Sequence, residues 1–511
     1  MAKCFNSTFK NIVIVSSSTL ISRILGYLRD AAIFASFGAS VEGAAFLFAF
    51  SIPNMFRKLL GEGALSSALL PVLSAQCVRN GKQSMFNTFS YALCRLILIF
   101  LIILACSLGA TFLAKTFVSE YKWELALKFT MTVLPYMVFI CLAALVSAAL
   151  NVMSKFFITS INQVWLNLSM IASVFVGRFI FHLGGTDLAY CLIVGVLISG
   201  AIQLIIPFIA IMHYGWRPGT NNDTAETHKN VRTVIKLFLP AALGAAIDEL
   251  NVLISRSIAF NCCAAAVTLI YSANRIIDIP AGILGASILS VFFPKFIHKM
   301  LKPCMEAMLW TLVPAAIGIF VMKHEIVSIL YGYGKFQEEN VSTIFPIISI
   351  YCINMVFTGL SSMFVRWFHS IKDIKTPVRV GMISAMTNIT LSLIFVNIFK
   401  QDHYKIIGLA SANTFASLLQ VLILFKIANK DVTASDIIAS SKVLFATAFG
   451  GILVFITATL SKYVAHMFLN FTNTKINDAF VLFIAIATSV PIYLLISKNL
   501  IKSAFSEYKS I

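Results

Sequence analysis

The chain has 511 residues, of which 59% are hydrophobic and only 12% are charged. Soluble domains average about 45–50% apolar and about 25% charged residues. This composition leaves too little polar surface for a water-soluble body, so we expect an integral membrane protein. The net charge of +18 would suggest nucleic acid in a soluble chain. Here the basic residues lie mostly between apolar runs, which indicates an orientation signal, and we expect no nucleic-acid partner.

In chain order, fourteen apolar segments are long enough to cross a bilayer, which takes about 20 residues. They lie at approximately 11–37, 42–76, 87–117, 125–153, 160–182, 187–213, 233–260, 265–297, 305–323, 342–370, 378–399, 405–428, 439–463 and 478–500. We therefore predict an all-α membrane protein with about fourteen transmembrane helices. The first segment is longer than a signal-peptide core and should be retained as a membrane helix.

Helix-breaking residues interrupt two of these segments. Pro53 and Gly61 fall inside the second, and Pro280 and Gly282 fall inside the eighth. A broken helix at membrane depth persists only where it faces protein or a water-filled cavity. Both breaks are therefore predicted to face inward.

The most polar internal stretch follows the sixth segment and predicts a flexible cytoplasmic linker at 215–231. It would join an N-lobe of six helices at 1–214 to a C-lobe of six helices at 232–430, arranged around a central cavity. Residues 431–511 would form a C-terminal helix pair with a cytoplasmic tail. The run Leu20-Ile21-Ser22-Arg23 recurs as Leu253-Ile254-Ser255-Arg256, which indicates parallel repeats. Basic residues are about twice as frequent on the side of the N-terminus, so both termini are predicted to be cytoplasmic.

Charged and polar side chains occur where apolar residues are expected. A charge at the bilayer centre costs at least about 2.5–3.5 kcal/mol, so such residues usually face a cavity or a partner. Arg23 and Arg29 lie about 120° apart around the first helix, given about 100° per residue. The predicted binding residues are Arg23, Arg29 and Asp30 in the first segment, Asn54, Arg57 and Glu62 in the second, and Arg275 in the eighth.

Arginine suits a buried anion site because its planar fork binds phosphate through two nitrogens and stays charged when desolvated. The acids nearby are few, so the excess positive charge predicts an anionic cargo. The alternative is internal neutralisation, with Arg29 paired to Asp30 or Glu62, and Arg275 paired to Asp278.

These residues fall in runs that resemble a known family. The runs include Ser22-Arg23-x-Leu25-Gly26-x-x-Arg29-Asp30, Pro53-Asn54-x-x-Arg57, Asn274-Arg275, Pro280-x-Gly282-x-Leu284-Gly285 and Asp373-Ile374-Lys375-Thr376-Pro377. They are similar to the signatures of the MurJ (MviN) lipid II flippases, within the multidrug/oligosaccharidyl-lipid/polysaccharide exporter superfamily. The resemblance covers nearly the full chain.

The resemblance implies a flippase that carries lipid II, an undecaprenyl-pyrophosphate-linked peptidoglycan precursor, from the inner to the outer leaflet. It implies that Arg23, Arg29, Arg57 and Arg275 line the central cavity, and that the C-terminal helix pair forms a groove for the lipid tail. It also implies a bacterial inner-membrane protein of cell-wall biogenesis. We expect a monomer, surrounded by membrane lipid and near the cell-wall synthesis machinery.

An acidic residue in the seventh segment suggests a second site. Asp248, together with Asn388 and Thr414, could hold sodium or a proton, because hard cations prefer oxygen ligands. The alternative is a carboxylate satisfied by neighbouring helices or by Arg256. We expect no other cofactor, with the membrane potential contributing to transport.

Other functions remain as alternatives. A flippase for another polyprenyl-pyrophosphate-linked saccharide would need a similar site. A drug or cation exporter is disfavoured because its cavity should be acidic. No acidic metal motif or histidine-containing phosphatase signature is evident, so we expect a transporter rather than an enzyme.

Overall fold

The computed structural model describes residues 2–59, 65–218, 225–293, 296, 301–336, 338–468 and 474–506. Within these ranges every regular element is helical, which confirms the all-α prediction. The chain divides into two compact units, residues 1–260 and 261–511. The residue boundaries given above for the two lobes, the linker and the C-terminal helix pair remain predictions.

The helices of the first unit are α1 (Ala2–Phe37), α2 (Val41–Phe56), α3 (Ser66–Thr116), α4 (Tyr121–Val133), α5 (Tyr136–Val152), α6 (Phe156–Ser160), α7 (Asn162–Phe175), α8 (Gly185–His213) and α9 (Ala225–Cys262), which ends just beyond it. Those of the second unit are α10 (Ala264–Pro280), α11 (Ala286–Phe292), α12 (Leu301–Val321), α13 (Lys323–Tyr331), α14 (Glu338–Ser370), α15 (Lys375–Ile398), α16 (Asp402–Ala428), α17 (Ala434–Ile437), α18 (Ser441–Phe468) and α19 (Thr474–Ser506).

Eleven helical stretches in the described part of the chain are long and apolar enough to cross a membrane. They account for the third to sixth and the eighth to fourteenth predicted segments. The remaining three correspond to α1, α2 and α9. Helix α2 has only 16 residues, and α1 and α9 carry charged side chains at mid-helix. The full count of fourteen therefore stays a prediction.

Helix α5 forms the centre of the first unit. It is almost entirely apolar and is buried on nearly all sides, as expected for a helix without a polar face. It packs against α3 and α8, while α1 packs on α7 and α2 on α4. Phe260 of α9 stacks on Phe48 at 5.5 Å and meets the edge of Trp123 at 4.9 Å. These aromatic contacts attach the end of α9 to the first unit.

In the second unit the main contacts between helices are made by α14, α16 and α18. Helix α14 packs against α10, α12 and α16, and α15 packs on α16. Helices α18 and α19 pack along each other, and α18 also contacts α12. Helix α19 also packs on α13, so the predicted C-terminal pair is joined to the rest of its unit through α12 and α13.

The prolines of both predicted helix breaks lie at changes in helical geometry, whereas Gly61 falls outside the described residues. Helix α2 contains Pro53 and continues into a π-helical turn at 57–59. Helix α10 ends at Pro280, and a π-helical turn spans Ala281–Gly285 before α11. Proline removes a backbone donor and crowds the preceding turn, which favours such defects.

Gly81 separates the second and third predicted segments within α3. Its φ of 80° and ψ of 176° are non-helical, so α3 consists of two helices that meet at a kink. A side chain at this position would be strained, because the left-handed region of φ favours glycine.

The linker predicted at 215–231 is anchored at both of its described ends, whereas 219–224 fall outside the described residues. Trp216 is 3% exposed and donates from Nε1 to Oγ of Ser90 at 2.7 Å. The rings of Phe89 and Phe208 meet the indole edge-on.

At the other end of the linker, His228 Nδ1 lies 2.8 Å from the Tyr91 hydroxyl. Both anchors attach the linker to neighbouring residues of α3.

The Trp216 anchor gives a stability prediction. Ser90→Ala leaves a buried indole N–H without its acceptor and should destabilise the protein by about 1–3 kcal/mol. Trp216→Ala should cost about 3–5 kcal/mol, because it also opens a cavity. Thermal unfolding of the purified protein in detergent measures both. Thr116→Ala is the control, since its exposed hydroxyl bonds only to its own helix. Equal losses for Ser90→Ala and Thr116→Ala would contradict the anchor.

Candidate functional site

Arg29 is buried and bound on two sides by other side chains. Its Nε and Nη2 donate to Oδ1 of Asp30 at 2.9 and 2.6 Å, and its Nη1 donates to Oδ1 of Asn167 at 3.0 Å. The Arg29 side chain is 7% exposed and that of Asp30 is 1% exposed. The pairing with Asp30, weighed above as the alternative to ligand binding, is therefore present in this structure.

Asn167 completes a network between two helices. It is 2% exposed, accepts from Arg29 of α1, and donates from Nδ2 to the backbone carbonyl of Ser22 at 2.9 Å. A buried guanidinium is costly unless both its charge and its donors are satisfied. Asp30 supplies the opposite charge and Asn167 supplies an acceptor. The network thus holds α1 against α7.

Arg23 lies on α1 close to this network and differs from Arg29. It is only partly buried. Across the ranges that the structure describes, its guanidinium has no hydrogen-bond or ion-pair partner. Asn167 fixes the backbone at Ser22, the residue directly before Arg23. Arg23 thus lies on a firmly held turn of α1, with its charge not neutralised by any of the described residues.

Arg57 and Asn54 lie at the break that ends α2. Arg57 Nε donates to Oδ1 of Asn54 at 2.9 Å, a contact one turn apart along the helix. Next to it, Lys58 pairs with Glu249 of α9 at 3.0 Å, with side-chain exposures of 44% and 17%. A pair this exposed contributes at most about 1 kcal/mol. Glu62 lies outside the described residues.

Arg275 belongs to the second unit and lies on α10, partly buried, five residues before Pro280. Its neighbour Asn274 takes part in a polar contact that sequence reasoning missed. The buried side chain of Tyr351 on α14 lies beside the side chains of Asn274 and Asn413. This contact joins α10, α14 and α16. Convergence of Arg275 with the first-unit arginines on one cavity stays a prediction.

The residues of the predicted cation site belong to different units. Asp248 is exposed on α9 of the first unit. Asn388 is 2% exposed on α15, where the hydroxyl of Ser392 lies 3.5 Å from its Oδ1. Thr414 donates to the Ala410 carbonyl of its own helix. The described residues hold no cluster of three or more His, Cys, Asp or Glu side chains suited to a metal. The combined site stays a prediction.

The signal for the Asn167 contact was present in the sequence but was incomplete. Asn167 is a polar residue in the apolar fifth segment, which indicates a buried partner. Nothing in the local pattern says that the partner is Arg29, because the two residues lie 138 positions apart.

The Arg29 network gives a graded prediction. Asn167→Ala removes one acceptor and should destabilise the protein by about 1–3 kcal/mol. Asp30→Asn removes the carboxylate that pairs with a buried guanidinium and should cost more, about 3–5 kcal/mol. Thermal unfolding in detergent provides the measurement. Asn397→Ala is the matched control, because its exposed amide bonds only within its own helix. An Asp30→Asn protein as stable as the control would refute the network's role.

Sequence comparisons point to one family. A family model described as Lipid II flippase MurJ matches residues 33–484. A probable lipid II flippase MurJ of Rhizobium meliloti is 29% identical over 440 residues, covering 82% of this chain and 80% of the relative. The corresponding protein of Bdellovibrio bacteriovorus is 27% identical over 434 residues, covering 81% and 82%.

Solved structures share the fold. A lipid II flippase MurJ in an inward closed conformation matches with a TM-score of 0.76 and 22% identity, over 96% of this chain and all of that chain. An inward-facing multidrug resistance MATE family transporter of the MOP superfamily matches with a TM-score of 0.64 and 15% identity, over 83% and 99%. Together with the membrane-spanning helices, the family match implies a multi-pass protein of the bacterial inner membrane. The chain belongs to the MurJ family of lipid II flippases, which are transporters rather than enzymes.

Proposed function

We propose that this protein moves lipid II from the inner to the outer leaflet by alternating access, with its arginines holding the pyrophosphate. The observation that carries the proposal is the contrast within α1. Arg29 is held by Asp30 and Asn167, whereas Arg23 presents a guanidinium that no residue in the described ranges neutralises. A guanidinium on a held stretch of backbone, without a partner among the described residues, suits an anion that must be recognised and then released.

The four arginines have different parts in this mechanism. Arg23 makes the first contact with the pyrophosphate, and Arg57 and Arg275 complete its coordination beside the two helix breaks. Arg29 joins when the pyrophosphate replaces Asp30 as its partner. Asn54 holds Arg57 in place through the bond to its Nε, and Glu62 is the proposed acid of the second helix. Neutralising the pyrophosphate lowers the cost of moving it past the membrane interior.

The lipid tail needs an apolar surface, and the second unit offers one. A cavity of about 470 Å³ lies between α12, α18 and α19. Its walls include Pro314, Gly318, Ala458 and Ile486. Small residues at the wall let a chain approach the helices closely. We propose that part of the prenyl chain rests here while the saccharide and pyrophosphate cross.

Movement follows from the helix breaks and the membrane potential. The π-helical turns after α2 and α10 provide points at which the helices can bend as the lobes rock. A potential negative inside favours outward movement of a net anion by about 2.3 kcal/mol per charge per 100 mV. In this proposal the protein acts as a monomer near the cell-wall synthesis machinery, with both termini in the cytoplasm.

Complementation tests the cargo and the site. The host's own lipid II flippase is depleted, and outer-leaflet lipid II is measured with this chain expressed. Wild type should restore transport, and Arg23→Ala should abolish most of it. Arg29→Lys should also fail, because a lysine cannot contact Asp30 and Asn167 as the fork does. Arg178→Ala, at an exposed arginine of the first unit, is the control.

Two outcomes would overturn this proposal. If wild type restores no outer-leaflet lipid II, the cargo assignment fails, and another polyprenyl-pyrophosphate-linked saccharide becomes the next cargo to assay. If Arg23→Ala transports as well as Arg178→Ala at equal membrane abundance, the pyrophosphate site lies elsewhere.

Cation coupling is a separate proposal. We propose that Asp248, Asn388 and Thr414 bind sodium during the transport cycle, with proton binding at Asp248 as the other form of coupling. Sodium should then raise the melting temperature of the wild type more than an equal concentration of choline. Asp248→Asn should lose this difference, whereas Glu249→Gln, at the adjacent acid paired with Lys58, should keep it. Absence of any sodium effect in the wild type would refute the site for sodium.

A further inference from the structure

A second apolar cleft lies on the opposite side of α12 from the proposed prenyl cavity. It has a volume of about 400 Å³ and opens between α12 and α14. Its walls are apolar except for Ser349, and include Ala316, Ile317, Cys352 and Val356. Both helices are among the eleven able to span a membrane. A cleft of this composition between two such helices suits hydrocarbon.

A lysine stands at one end of the cleft. Lys323 follows α12 by two residues, and its Nζ donates to Oγ of Ser349 at 3.0 Å. The same Nζ lies 4.3 Å from the ring centroid of Phe320, a residue that also lines the cleft. Two wall residues therefore hold the ammonium group at the end of the apolar surface.

The charge of Lys323 has no carboxylate to balance it within 4 Å among the described residues. The neighbouring cation differs in this respect, since Lys462 pairs at 2.7 Å with Glu325, which is fully buried. Lys323 has only a neutral hydroxyl and a ring face. An ammonium bound to one acceptor keeps two N–H donors for another ligand.

We propose that this cleft binds an anionic phospholipid, with one acyl chain between α12 and α14 and the phosphate on Lys323. Three features select this occupant. The walls suit an acyl chain, and the cation suits a phosphodiester. The cation also follows by two residues a helix that is long and apolar enough to span a membrane, where lipid head groups are expected. The rim residues Phe320 and Ile353 are 40% and 56% exposed, so the acyl chain can enter from the surface of the unit. This site is separate from the pyrophosphate site and independent of the transport proposal.

Native mass spectrometry of the full-length protein tests the site. Phosphatidylglycerol and phosphatidylethanolamine with identical acyl chains are titrated separately, and the bound lipid is counted. Wild type should hold one phosphatidylglycerol in preference to phosphatidylethanolamine. Lys323→Gln should lower that preference about fivefold, the size expected for one basic side chain at an anionic surface. Ile353→Trp, which narrows the cleft from an exposed position, should reduce binding of both lipids.

The control is Lys400→Gln, at an exposed lysine between α15 and α16 that lies outside the cleft. It should bind phosphatidylglycerol as the wild type does. Equal wild-type binding of the two lipids would overturn the proposal and leave an apolar cleft without head-group recognition. A Lys323→Gln protein with undiminished preference, or an equal loss in Lys400→Gln, would also overturn it. Both lysine variants are at partly or fully exposed positions, so folding should be preserved in each.

Discussion

Burying the guanidinium of Arg29 is the constraint on which the first unit depends. A charge with 7% side-chain exposure must be neutralised, and each of its donors needs an acceptor. Asp30 provides the charge from the same helix, and Asn167 provides the acceptor from α7. Because Asn167 also binds the carbonyl of Ser22, satisfying this one residue sets the position of α1. The backbone at Arg23 is fixed as a result.

The charged side chains of this protein fall into two groups. Some are balanced inside their unit, as Arg29 is by Asp30 and Glu325 is by Lys462. Others, among them Arg23 and Lys323, have no carboxylate partner in the described part of the chain. The first group holds helices together, since removing Asp30 or Lys462 would take a counter-charge away from a buried partner. The second group is available to anions from outside the chain. We place the proposed ligands, the pyrophosphate of lipid II and a phospholipid phosphate, on this second group.

Helix breaks contribute to the proposed site in a different way. Pro53 and Pro280 each precede a π-helical turn, one that begins at Arg57 of the first unit and one that begins six residues after Arg275 of the second. A π-helical turn changes the direction of the side chains that follow and weakens the regular hydrogen bonding of the helix. In the proposed mechanism these turns are the places where each unit bends. This pairing of arginine and break in both units agrees with a transporter built from two related halves.

The sequence by itself determined the helical class, eleven of the spans, both helix breaks and the family, because apolar runs, prolines and short motifs act locally. It also indicated that Arg23 and Arg29 are unusual.

Only the tertiary structure decided which arginine is neutralised, because Asn167 lies 138 residues from Arg29 and no local pattern connects them. The anchoring of Trp216 on Ser90 and the position of Lys323 beside Ser349 were likewise decided by packing. The composition gives the number of charged residues in the chain, whereas the fold decides which of these side chains have partners.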